Sequence, residues 1–103
     1  MLAGINLIRG IGMLKTIDFD KDAEGAFYIR VLAENLKNIC EHFHLTQEEL
    51  SGMTSVSVNE ISKIEREIVN PGLITIAALA RGLGLDIGTL LTPNLDVSKL
   101  DPP

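Results

Sequence analysis

A chain of 103 residues is the length of one domain with short additions, and 46% hydrophobic with 22% charged residues is the composition of a soluble globular protein that buries one core. A multidomain enzyme and a chain disordered throughout are thereby excluded. Lysine and arginine number 9 against 14 acidic residues, a formal charge of -5, which excludes an unspecific polybasic binder of nucleic acid or membrane.

Residues 1–24 form an N-terminal extension of distinct composition. Gly4, Gly10 and Gly12 punctuate an apolar run from Leu2 to Leu14, which Asn6 and Arg9 make too short and too polar to span a bilayer. It lacks the basic start and small-residue cleavage site of a signal peptide. Ile17 and Phe19 alternate with Thr16, Asp18 and Asp20, a pattern that suits one short strand or arm; a frayed leader fits equally well. The single cysteine, Cys40, excludes an internal disulfide, so a reducing cytoplasm is the expected setting and no membrane partner is expected.

From residue 25 to residue 92 the pattern turns helical. Leu32, Leu36, Ile39 and Phe43 make one stripe of a first helix of about fifteen residues, with Glu34, Lys37, Asn38 and Glu41 on its other face. Thr46 and Glu49 form a capping box that opens a short second helix, whose buried side is Leu50 and Met53. After Thr54, Ser55 and Val56, a second box of Ser57 with Glu60 opens a third helix, with Ile61, Ile64 and Ile68 expected to point inward. Asn70, Pro71 and Gly72 break the chain. A fourth helix follows with Leu73, Ile76, Leu79, Ala80 and Leu83 on its buried side, and Gly84 suits its stop. Asp86 is placed to cap a last short helix through Leu90 and Leu91 before Pro93, and residues 93–103 read as a polar tail. The expected fold class is all-α, with five helices.

The stretch Leu45-Thr46-Gln47-Glu48-Glu49-Leu50 through Val56-Ser57, then Ile61-Ser62-Lys63-Ile64-Glu65-Arg66 and Asn70-Pro71, closely resembles the helix-turn-helix domain of the Cro and phage-repressor (XRE-like) regulators. The resemblance runs from about Tyr28 to Leu91 and implies a lambda-repressor-like fold in which the third helix enters the major groove of double-stranded DNA. It places base-reading residues at Ser57, Val58, Asn59 and Glu60. Their chemistry fits: Asn59 can pair bidentately with adenine, Val58 can touch a thymine methyl, and Glu60 can accept from cytosine N4. Lys63, one turn on, can reach guanine or phosphate. Gln47, at the start of the second helix, corresponds to a clamp on the phosphate backbone, and Asn70 and Lys37 are further phosphate candidates. Against each stands a plainer reading: Ser57 and Glu60 as caps, with the cap ahead for Glu60, and the others as solvated surface.

The chain departs from the family's pattern at several places. Ser51 stands where alanine is usual, and Ser55, His44 and Glu67 stand where glycines are frequent, which costs energy wherever the backbone is left-handed. Many relatives carry at Cys40 an arginine that pairs with the glutamate equivalent to Glu65; here Glu65 must find another partner or face water. His42 and His44 are expected as a surface pair, no cofactor or metal site is expected, and Gly82 with Gly84 closes a helix without forming a nucleotide loop.

Residues 25–92 hold 5 basic and 8 acidic side chains. Few phosphates can then be neutralised per subunit, so binding is expected to need a homodimer on a palindromic operator. Ile74, Ile87 and Leu91 exceed the obvious needs of the core and are candidates for self-association, or else complete the core. The function expected is a sequence-specific transcription regulator. The alternative is an antitoxin or adaptor of the same fold, its acidic surface facing a basic protein partner.

Overall fold

The computed structural model describes residues 25–103, so the expectations for Ile17, Phe19 and the rest of the extension lie outside the described residues. Five α-helices follow in order: α1 (Gly25–Phe43), α2 (Gln47–Thr54), α3 (Val58–Glu65), α4 (Leu73–Gly82) and α5 (Ile87–Leu90), then a 3-10 turn at Val97–Lys99. There is no strand among the described residues. α1 is longer than its apolar stripe suggests, at 19 residues.

One core joins the helices. Leu32, Leu36 and Ile39 from α1 meet Leu50 of α2, Ile61 and Ile64 of α3, Leu79 and Ala80 of α4, and Leu90 of α5, all essentially closed to water. α2 and α3 are each 8 residues long, below the length at which a helix persists alone, so this packing holds them. Residues 94–103, polar by composition, lay Leu95, Val97 and Leu100 against the core.

Three helices close in the same way. At the ends of α1, α3 and α4 a residue with positive φ, His44 (57°), Glu67 (62°) or Gly84 (72°), turns the chain. The next N–H then reaches back five residues: Leu45 to the Cys40 carbonyl, Ile68 to Lys63 and Leu85 to Ala80, at 2.8, 3.1 and 2.8 Å. This closure satisfies carbonyls that the helix end would leave open. Only Gly84 reaches the left-handed region without a Cβ penalty.

Several expectations need correction. α3 stops at Glu65 and the chain turns at Glu67, so Ile68 is carried outward to 58% exposure. Leu73, expected on the buried face of α4, is 70% exposed at its first turn. Asp86 gives α5 no side-chain cap; only its carbonyl accepts, from the Leu90 N–H at 3.1 Å. Ile87 and Leu91 complete the core as partly buried residues, whereas Ile74 is left 86% exposed.

Two residues that no spacing pattern distinguishes hold the elements together. Asn35 is buried on α1, and its Nδ2 donates to the carbonyls of Leu90 at 2.7 Å and Thr92 at 3.0 Å, fastening the end of α5 to α1. Gly82 lies so close to the end of α2 that an added Cβ would sit 2.5 Å from the Met53 carbonyl oxygen. Its absent side chain sets the approach of α4 to the turn between α2 and α3.

Candidate nucleic-acid interface

The interface is built on the α2–turn–α3 unit. Thr46 opens α2: its Oγ1 accepts from the Glu49 N–H at 3.0 Å, and the Glu49 carboxylate accepts from the Thr46 N–H at 2.9 Å, completing the expected box. The Gln47 and Glu48 N–H groups, with no carbonyl four residues before them inside the helix, are left for an outside acceptor. At the other end, the Thr54 hydroxyl donates to the Leu50 carbonyl at 2.8 Å and accepts from the Val56 N–H at 3.2 Å. That hydroxyl satisfies the inside of the turn. Ser55 takes the left-handed conformation (φ 65°, ψ 14°) and returns its N–H to the Ser51 carbonyl at 2.8 Å. Val56 is then buried and Ser57 caps the start of α3.

At the start of α3 only half of the expected second box forms. Ser57 Oγ accepts from the Glu60 N–H at 3.1 Å, but the Glu60 carboxylate does not return the bond. The capping reading of the Glu60 side chain is therefore corrected: the Ser57 hydroxyl is the cap, and Glu60 contributes only the backbone N–H from which that hydroxyl accepts. Asn59 is exposed beside Ser57, Val58 and Glu60 are half-buried, and Lys63 follows one turn along, also half-buried. Ile61 and Ile64 fix the opposite face in the core.

Gln47 does not project freely. Its Nε2 donates to Glu65 Oε1 at 2.9 Å, joining the first residue of α2 to the last of α3. Glu65 thus finds an amide as its partner. The Cys40 thiol, packed partly into the core, is pushed up to about 11, first by burial and then by the Glu65 charge. A thiol so shifted is protonated at neutral pH and poorly nucleophilic. Lys37 is exposed one turn before Cys40 on α1. Asn70 is exposed in the loop after α3, beyond the opposite end of that helix from Asn59. It stands on the lip of a largely apolar groove of about 170 Å³ with Gly25, Tyr28, Pro71, Ile76 and Leu91. The structure therefore gathers Gln47 with Glu65 and Ser57 with Glu60, and places Asn70 in the loop beyond the Glu65 end of α3.

A preceding helix with free amino-end donors, a closed turn and a following helix with an exposed polar first turn are the parts that a major-groove reader needs. The helix-turn-helix family profile matches residues 36–90, which takes in α2, α3, α4 and α5 whole. The chain belongs to the helix-turn-helix family of Cro/C1 type. It is similar to a protein of Sinorhizobium fredii (strain NBRC 101917 / NGR234) named as an uncharacterized HTH-type transcriptional regulator, y4dJ, at 33% identity over 64 residues, 62% of this chain and 83% of that one. No solved structure matches the chain. Membership makes it a DNA-binding transcription regulator, all-α and lambda-repressor-like in fold. Among the described residues no helix is long and apolar enough to cross a membrane, and no cluster of His, Cys, Asp and Glu could hold a metal ion. His42, exposed, instead sets its ring edge-on to Phe43 at 4.7 Å.

Proposed function

We propose that this regulator acts as a homodimer that reads a palindromic operator, with α3 in the major groove of each half-site. The observation that carries the reading is the exposed first turn of α3, where Asn59 faces solvent and the Glu60 carboxylate is not spent on the cap. Asn59 reads an adenine, Val58 contacts a thymine methyl, Glu60 accepts from a cytosine, and Lys63 reaches a guanine or phosphate further along the helix. Gln47 and the free N–H groups at the start of α2 hold a phosphate, and Lys37 and Asn70 add outer phosphate contacts.

Acidity supports the dimer. Glu48, exposed in the first turn of α2, and Glu60 in that of α3 both oppose a phosphate, so one subunit gains little from charge alone. Two half-sites a helical turn apart double the contacts. The 86% exposed Ile74, with Leu73 and Ile68 nearby in the chain, supplies apolar surface for self-association.

Selection of binding sites from random duplex DNA at two salt concentrations tests the reading. A palindromic consensus is expected, bound with a shallow salt dependence. Asn59→Ala should relax one position of each half-site at a cost of about 1–3 kcal/mol, and Gln47→Ala should weaken all sequences alike. Enrichment of no sequence, together with co-purification of a basic protein, would favour an adaptor or antitoxin instead.

A further inference from the structure

The bond between Gln47 and Glu65 spans 18 positions of sequence and ties two residues at opposite ends of the α2–α3 unit. A carboxamide has two N–H donors and one carbonyl, and a carboxylate is acceptor only. One amide hydrogen of Gln47 is therefore spent on Glu65 at 2.9 Å, in a charge-assisted bond, and one remains. That remaining hydrogen belongs to the same residue whose backbone N–H is open at the start of α2. A free glutamine would sample several rotamers and lose that entropy on meeting a phosphate.

We infer that Glu65 is a positioning residue for DNA engagement: by holding Gln47 Nε2 it fixes the carboxamide so that the second amide N–H and the backbone N–H groups of Gln47 and Glu48 form one donor set for a single phosphate. The inference rests on the reading of the α2 start as a phosphate contact. The neighbours of Glu65 are suited to this role. From α1 it is faced by the Cys40 thiol, which is neutral and brings no competing cation, and from α2 by Gln47 itself. The carboxylate touches no DNA; it acts through Gln47. It also places an anion behind the phosphate, so the arrangement exchanges some charge attraction for orientation.

Two measurements on the full chain test this. In the DNA-free protein, the side-chain amide signals of Gln47 in a nitrogen–proton correlation spectrum should lie away from those of a solvated glutamine. They should return there in Glu65→Ala and stay put in Glu65→Gln, which keeps an acceptor. Affinity is then read on the duplex enriched from the random pool. Glu65→Ala should weaken binding roughly tenfold, about as much as Gln47→Ala, and the double variant should be no weaker than either single one. Glu65→Gln should stay within roughly twofold of the parent or bind more tightly, because the acceptor remains and the anion is gone. Additive losses in the double variant, or amide signals unmoved by Glu65→Ala, would overturn the role of Glu65 while leaving the DNA reading intact. Failure to enrich any duplex, with the amide signals moving as expected, would instead overturn the DNA reading and with it the engagement role.

Discussion

The two turns that flank α3 are built from similar parts and do opposite things. Each contains a non-glycine residue at positive φ, Ser55 (65°) before the helix and Glu67 (62°) after it. The first turn is lined inside by the Thr54 hydroxyl and walled by Gly82 of α4, which lies against Met53 and Thr54, and the flanking Thr54 and Val56 are buried. The second lifts its apex out of the core and leaves Ile68 at 58% and Leu73 at 70% exposure. Tertiary packing thus specifies the angle at which α3 leaves the first turn. The second is held by its own backbone hydrogen bonds and by Val69 and Pro71, which turn inward, while Ile68 and Leu73 face water. A left-handed residue thus occurs both in a turn set against a neighbouring helix and in one whose apex is open to water.

The largest effect should come from the wall of the first turn. Gly82→Ala puts a methyl group against the Met53 carbonyl and the Thr54 backbone, neither of which can move without shifting α2. A loss of about 3 kcal/mol is expected, the upper part of the range for overpacking, read as a melting temperature lower by more than ~10 °C. Gly52→Ala, with nothing within 4 Å of its added Cβ, is the control and should not destabilise. Equal melting of the two variants would mean that α4 does not hold the turn.

What the sequence made legible was the periodic part of the structure. Leu32, Leu36 and Ile39, then Ile61 and Ile64, then Leu79, Ala80 and Leu83 are buried where their spacing puts them, because a helical period is a direct record of one buried face. The Thr46–Glu49 box was equally legible, since its bonds close within three residues. Ile68 kept the period yet faces water, because Glu67 takes a left-handed conformation; the resemblance marks that position by its frequent glycine, but the apolar period does not record the turn. Asn35 carries no spacing signal: a lone polar residue on a helix reveals itself as a tether only when the Leu90 and Thr92 carbonyls arrive from 55 and 57 positions away. At the candidate site, the exposed first turn of α3 follows from local chemistry. The hold of Glu65 on Gln47 depends on how two helices are set side by side, which no short-range pattern records.

A smaller effect should separate the two strained residues. Ser55→Gly and Glu67→Gly each remove the Cβ penalty of a left-handed residue, so each should stabilise by about 1 kcal/mol, less the greater entropy of the unfolded glycine. Their consequences for DNA should differ. Ser55→Gly leaves the walled turn as it is, and operator affinity should hold. Glu67→Gly also removes an anion near the end of α3, and affinity should rise slightly at low salt and converge with the parent at high salt. If affinity falls in Ser55→Gly, the first turn depends on the stiffness of its own backbone more than on α4.

The smallest effect on folding is expected at the exposed surface beyond the second turn. Ile74 is 86% exposed in the first turns of α4, so it has almost no burial to lose, and Ile74→Asp should leave the melting temperature of the isolated subunit nearly unchanged. An added carboxylate near the amino end of α4, which begins with no acidic residue in its first turn, is if anything favourable to that helix. Its cost should fall on association, where burying the charge against a second copy removes water from a carboxylate with no partner. Sedimentation equilibrium should therefore show a dimer in the parent and a monomer in Ile74→Asp at the same concentration, with operator binding lost in step. A variant that stays dimeric and binds as the parent would remove Ile74 from the self-association surface and leave the exposed apolar side of the second turn, Ile68 and Leu73, as the surface to mutate next.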